Sequence, residues 1–219
     1  MRPVNRDLVE YLADSCVARS ADPVVDEFFA NEHMRTLTND FTIPTYWPTY
    51  PFLFSVARHL QPEFVVELGV EVGRGLVSMH LGWPAADIVG VDVFDMRHNC
   101  KTSMDPVAAP DRWRLHLGDV ESFCAEEPAR MINMCHMDSD HTYETTLKEW
   151  RLIRPRMREG GVICIDDIFT AGVSRVLHEN ILPSRGDDVV FLPMLHGVTD
   201  GGGIYSGTGY AAVLCGVYE

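Results

Sequence analysis

FVVELGVEVGRG, residues 64–75, is the stretch from which the fold of this chain is read. Phe64, Val65, Val66 and Leu68 are apolar around one acid, Glu67, and the run is bounded by Pro62 and Gly69. That composition predicts a short buried strand. Gly69, Gly73 and Gly75 follow, and glycine lets backbone turn tightly and approach a ligand closely. The pattern E-x-G-x-x-x-G-x-G differs in spacing from the dinucleotide fingerprint G-x-G-x-x-G, which argues against a nicotinamide enzyme.

Outward from this stretch, strands and helices alternate. Predicted strands cover 64–68, 87–92, 112–117, 132–137 and 162–165, with final strands at 189–193 and 211–218. Predicted helices open at Gly75 and run over Tyr143–Arg158 and Val173–Asn180; Glu159-Gly160-Gly161 is expected to stop the second. The expected fold is α/β: a Rossmann-like, mostly parallel sheet with helices on both faces and an antiparallel edge strand. Upstream, Asp7–Ala18, the segment from Asp22-Pro23 to Ala30, and Pro51–Leu60 read as helices. The expected organisation is one globular domain: a helical addition over 1–62 and a core over 63–219.

The chain has 219 residues and is 46% hydrophobic, enough for one sizeable core. Its 18 Lys and Arg against 32 Asp and Glu give a formal charge of −14, which disfavours a phosphate-backbone partner. No nucleic-acid partner is expected. None of the six cysteines forms a C-x-x-C pair, and Cys135, Cys164 and Cys215 sit in apolar runs as small hydrophobes do. No apolar stretch reaches the roughly 18 residues of a membrane span, so a cytoplasmic protein without a membrane partner is expected.

The glycine pattern resembles the first motif of class I S-adenosylmethionine-dependent methyltransferases. In an open parallel sheet, ligands bind beyond the carboxyl ends of the strands. Acids stand at those ends in order: Glu67, Asp92 and Asp119. Asp92 lies 19 positions after Gly73, where an acid of a βαβ unit meets ribose hydroxyls. Asp119 is the acceptor expected for the adenine amino group, with Val93 and Val120 packing on the adenine faces. S-Adenosylmethionine carries a sulfonium and an ammonium and no phosphate, which suits Glu67 inside the turn. Each acid singly also fits a helix N-cap.

MDSDHTYETTLKEW (137–150) and GGVICIDDI (160–168) hold the second constellation. Asp138 ends the fourth strand, and Asp166 and Asp167 end the fifth. Neighbouring strands lie about 4.8 Å apart, so these carboxylates are expected together. Clustered carboxylates repel unless a cation or a proton neutralises them. An all-oxygen set suits Mg²⁺ or Ca²⁺ rather than zinc. Helix capping by Asp138 and Asp166 is the plainer alternative.

Both stretches resemble the metal-dependent O-methyltransferases of bacterial natural-product pathways, the macrocin and aminocoumarin sugar O-methyltransferases, and the related cephalosporin-hydroxylase-type proteins. There a D-x-D pair precedes a Y-E helix start and a D-D pair follows; here Asp138 and Asp166 are 28 positions apart and Tyr143-Glu144 is in place. The resemblance implies that Asp138, Asp166 and Asp167 hold Mg²⁺, with Asp140 as general base and His141 as a second candidate. Ser139 departs from the usual glycine. His136 reads chiefly as a structural histidine. The partner implied is a small hydroxylated acceptor, and a homo-oligomer is allowed. Two other readings stay open: a metal-independent methyltransferase using Asp140 or His141 alone, and a cofactor-binding partner protein without turnover. Tyr46, Trp47 and Tyr50 suit either an acceptor wall or packing of the N-terminal helices. Residues 196–209, with Tyr205, suit either a lid or a plain hairpin connection.

Overall fold

Val65 sends its side chain to one face of a central sheet, and Phe64, Val66 and Leu68 send theirs to the other. All five residues of their strand are buried, as happens when helices cover both faces. The computed structural model describes residues 4–18, 23–31, 45–46, 48–184, 186–192, 198–199 and 209–216. Its main sheet holds β1 (Phe64–Leu68), β2 (Asp87–Asp92), β3 (Trp113–Leu117), β4 (Ile132–Met137), β5 (Met157–Ile165), β6 (Asp188–Leu192) and β7 (Tyr210–Leu214). The strand order is β3-β2-β1-β4-β5-β7-β6. Strands β1 to β5 are parallel, and β7 runs antiparallel between β5 and β6 at one side of the sheet. The order reverses between β1 and β4, which makes their carboxyl ends the switch point where such sheets bind ligands.

Helices α1 (Arg6–Ala18), α2 (Pro23–Ala30), α3 (Thr49–Leu60), α4 (Arg74–Gly82) and α5 (Arg97–Met104) belong to one face. Helices α6 (Val120–Glu126), α7 (Tyr143–Ile153) and α8 (Ala171–Val176) cover the other. The N-terminal helices share the core of the sheet: Phe28 meets Phe54 edge-on at 5.6 Å between ring centres, and Arg6 pairs with Asp188 and donates to the Val189 carbonyl at 2.7 Å. Burying a phenylalanine contributes about 1.5–3 kcal/mol, so these contacts hold α1 and α2 firmly. Gln61 takes the left-handed conformation (φ 52°) to end α3, donating its N–H to the Ala57 carbonyl at 2.9 Å.

Three expectations change. The helix predicted to reach Arg158 stops at Ile153, because Pro155 has no N–H to continue it; a 3₁₀ turn, Arg154–Arg156, follows. Strand β5 then starts at Met157, so Gly160 and Gly161 lie within it rather than before it. A side chain at 161 would press to 2.8 Å on the Asn133 and Arg158 carbonyls, which is why glycine stands there. Helix α5 has no counterpart among the predicted elements: RHNCKTSM is polar, and only Cys100, Ser103 and Met104 face the core. Tyr205, Trp47 and the side chain of Tyr46 lie outside the described residues, as does most of 196–209; Thr45–Tyr46 pairs with Val198–Thr199 as a two-residue ribbon.

Candidate functional site

The glycine turn opens a cleft of about 540 Å³ at the carboxyl ends of β1 to β4. Glu67, Gly69, Gly75, Asp92, Val93, Asp119, Val120, Asp138 and Asp140 all line it. Gly69 has φ 78° and Gly73 has φ 80°, both in the left-handed region that glycine adopts without cost. A β-carbon at 69 would lie 2.0 Å from the Asp138 carbonyl oxygen, and one at 75 would lie 1.8 Å from Glu67 Oε1. Glycine at 69 therefore lets the tips of β1 and β4 close on each other, and glycine at 75 leaves room for the Glu67 carboxylate. Gly73 itself lies behind the cleft, near Cys100 and Ser103.

At the end of β2, Asp92 accepts from the Val70 amide at 3.0 Å and the Phe94 amide at 2.8 Å. One carboxylate thus pins the glycine turn to the β2 loop, and each oxygen keeps a lone pair toward the cleft. Val93 and Phe94 are 63% and 68% exposed on the cleft rim, apolar surface of the kind that marks a ligand site. Asp119 caps α6 by accepting from Ser122 N at 3.0 Å, and it pairs with Lys148 at 2.5 Å. Lys148 and that amide hold its carboxyl down at about 2. Its oxygens are more heavily engaged than an adenine acceptor would need.

At the tips of β4 and β5 the expected acids do converge. One ring nitrogen of His136 and one oxygen each of Asp138 and Asp166 lie within 4.8 Å of one another. Burial and the Asp138 charge push the Asp166 carboxyl well up, against the pull of His136. Asp166 Oδ1 accepts from the Asp167 amide at 2.7 Å. Asp167 takes a left-handed backbone (φ 52°) and turns its Oδ2 to His141 Nδ1, 3.4 Å away. His141 Nε2 lies 3.3 Å from Asp138 Oδ1, so this imidazole stands between two of the three expected ligands. Burial works against a charged His141, yet Asp138 and Asp167 raise its pKa overall. His141 is also left-handed (φ 58°), a costly conformation for a side-chain-bearing residue and one often kept at functional sites. Gly172 of α8 packs against this backbone; a side chain there would come within 2.3 Å of the His141 carbonyl.

Asp140, the first candidate base, is used otherwise. Its oxygens accept from Thr142 N, Thr142 Oγ1 and Thr145 Oγ1, all at 3.0 Å, around the start of α7. Although burial acts against the charged form, those donors hold its pKa below the usual carboxylate range, which leaves it little basicity.

Two contributors escaped the sequence. Phe94 is one. Glu149 of α7 is the other; it lines the cleft, and burial lifts its carboxyl to about 7 despite a hydrogen bond from Ser139. His136, read chiefly as structural, meets Glu67 Oε1 through Nδ1 at 2.8 Å with both side chains buried. Burial disfavours both charges: it raises Glu67, and it is overcome in His136, which the Glu67 carboxylate lifts to about 9. Two-residue spacing placed His136 on the Asp138 side of β4; the partner from β1 had no local signal.

Residues 66–168 match the family described as a methyltransferase domain. No curated protein matches the sequence. Solved structures match its fold along nearly the whole chain. An O-methyltransferase from Bacillus cereus in complex with S-adenosylhomocysteine is 15% identical, with TM-score 0.65, covering 95% of this chain and 97% of its own. The O-methyltransferase TomG of Streptomyces achromogenes, involved in tomaymycin synthesis and bound to S-adenosylmethionine, is 14% identical, with TM-score 0.65, covering 90% and 91%. A TDP-rhamnose 3'-O-methyltransferase of calicheamicin biosynthesis is 18% identical, with TM-score 0.55, covering 94% of each chain. The stretch that matches the methyltransferase-domain family spans the glycine turn and the strand-end acids from β1 to β5, and the fold around it is shared with these solved O-methyltransferases.

Proposed function

We propose that the protein is an O-methyltransferase that moves the methyl group of S-adenosylmethionine to a hydroxyl of a small, sugar-like or natural-product metabolite, assisted by a divalent cation. The observation that carries this reading is the position of Asp138. It lines the cleft of the glycine turn and also stands in the carboxylate cluster with Asp166, so donor and acceptor chemistry meet at one residue. The charge of −14 and the size of the cleft favour a small acceptor over a polynucleotide. The solved relatives whose names specify natural-product and sugar acceptors have this fold, which supports the same acceptor class here.

In this reading Asp92 takes the ribose hydroxyls, and Val93, Phe94 and Val120 enclose the adenine. Glu67, at the base of the turn, faces the ammonium end of the methionine. Asp138 and Asp166, with Asp167 beside them, supply oxygens for the cation; when bound, it would polarise the acceptor hydroxyl and lower its pKa. The donor set fits, since oxygens of Asp138 and Asp166 come within 4.8 Å of each other at two adjacent strand tips, where a positive charge relieves their repulsion. His141, held by Asp138 and Asp167, receives the hydroxyl proton as the new C–O bond forms and the C–S bond of the sulfonium breaks. Alignment of these atoms in the closed cleft supplies much of the acceleration.

His141 itself supports a second reading. Neutral His141 can take the proton without metal, because Asp138 and Asp167, 3.3 and 3.4 Å away, stabilise the imidazolium that forms.

Titration of S-adenosylhomocysteine by calorimetry, then turnover of catechol and sugar-diol acceptors with and without EDTA, tests both readings. We expect cofactor binding and turnover lost in EDTA. Chelator-insensitive turnover selects the metal-independent reading, and absence of cofactor binding sinks the whole proposal.

A further inference from the structure

The carboxylates at the tips of β4 and β5 do not make up the whole cluster. His136 is 1% exposed, and its Nε2 is buried with no hydrogen-bond partner among the described residues. Its other nitrogen is committed to Glu67 Oε1 at 2.8 Å. With Nδ1 committed to Glu67, Nε2 is the ring nitrogen left to serve as a ligand beside Asp138 and Asp166. A buried nitrogen without a partner is unfavourable, so the fold carries that penalty unless something binds it.

The arrangement has the features of a ligating histidine. Such residues almost always give their second ring N–H to a carboxylate or carbonyl, which sets the tautomer and the ring orientation. Glu67 meets that requirement, because it is buried and stands directly opposite His136 in the pairing of β1 with β4. Asp138 follows His136 by two residues, one past the end of β4, so the alternation of the strand puts both toward the same side. Asp166 comes from the next strand; its amide bonds to the Met137 carbonyl at 3.0 Å, which fixes its height beside Asp138. Asp167, by contrast, is turned away to His141.

We infer that His136, Asp138 and Asp166 form a mixed nitrogen–oxygen site for a divalent transition-metal ion, oriented by Glu67. This rests on the cation-assisted reading above and changes its chemistry. Imidazole nitrogen favours first-row transition metals, whereas Mg²⁺ prefers oxygen alone. Mn²⁺, which accepts both donors, should bind about tenfold or more tighter than Mg²⁺.

The test is pulsed electron paramagnetic resonance of Mn²⁺ added to the whole protein, with Mn²⁺ affinity measured by calorimetry and Mg²⁺ as competitor. We expect ¹⁴N modulation from one imidazole, lost in His136→Gln and kept in His141→Gln. Glu67→Gln, which offers a donor to Nδ1 and forces the wrong tautomer, should weaken Mn²⁺ by about 10–100-fold. Thermal unfolding reports whether each variant is folded; the wild-type spectrum decides the matter even if a variant fails to fold. Mn²⁺ bound without nitrogen modulation, or modulation that follows His141, overturns this inference and leaves the all-oxygen cation reading standing. Absence of Mn²⁺ binding overturns both, while cofactor titration still tests the methyltransferase reading on its own.

Discussion

Glu67 and His136 occupy paired positions on β1 and β4 and join their side chains at 2.8 Å beneath the cofactor cleft. Glu67 lines that cleft, and His136 belongs to the carboxylate cluster, so one hydrogen bond connects the two halves of the site. Removing one partner of a buried charged pair leaves the other uncompensated, which typically costs more than the pair contributed. Glu67→Ala should therefore lower the unfolding free energy by about 3 kcal/mol in urea titrations. A loss under about 1 kcal/mol would show that the pair is not held as described.

Asp92 ties the Val70 and Phe94 amides together and faces the cleft. Asp92→Ala should weaken S-adenosylhomocysteine about 10–100-fold by calorimetry, since both amides lose a charged acceptor and the ribose loses its own. Unchanged affinity removes Asp92 from the cofactor site.

His141 and Asp140 separate by their surroundings. His141→Ala should cut turnover of a catechol acceptor by about 10²–10⁴-fold, the usual contribution of a positioned base. Asp140→Asn should cost less than about tenfold in turnover and about 1 kcal/mol in stability, through the start of α7. The reverse pattern of rates would assign the proton to Asp140.

Glu149 gives a pH signature. Its pKa in the folded protein is about 7 against an ordinary 4.5, so the fold favours the protonated acid. That stabilisation is complete below pH 4.5 and is lost as pH rises through 7. Glu149→Gln should therefore raise the unfolding free energy at pH 8 by about 1–3 kcal/mol, and the difference should vanish near pH 4. Equal stability of the two proteins at pH 8 would contradict the burial argument.

Much of the frame was legible because it is written locally. An apolar run broken by glycines marks β1 and its turn, and acids follow the apolar runs of β2, β4 and β5 directly. Helix ends were less legible: Pro155 shortened α7, and the sparse apolar stripe of α5 hid it, since a short polar segment becomes helical only where a surface is ready to receive Cys100 and Met104.

Residue order alone determined the strand-end acids, the glycine turn and the α/β alternation, because each depends on neighbours within a few positions. The tertiary structure decided which acids meet which partners. Glu67 faces His136 only because β4 lies beside β1, 69 residues away, and no local pattern encodes strand order. The same packing brought Asp167 to His141, so part of the charge that tunes this imidazole arose only when distant segments came together, whereas Asp140 finds its threonines two and five positions along the chain.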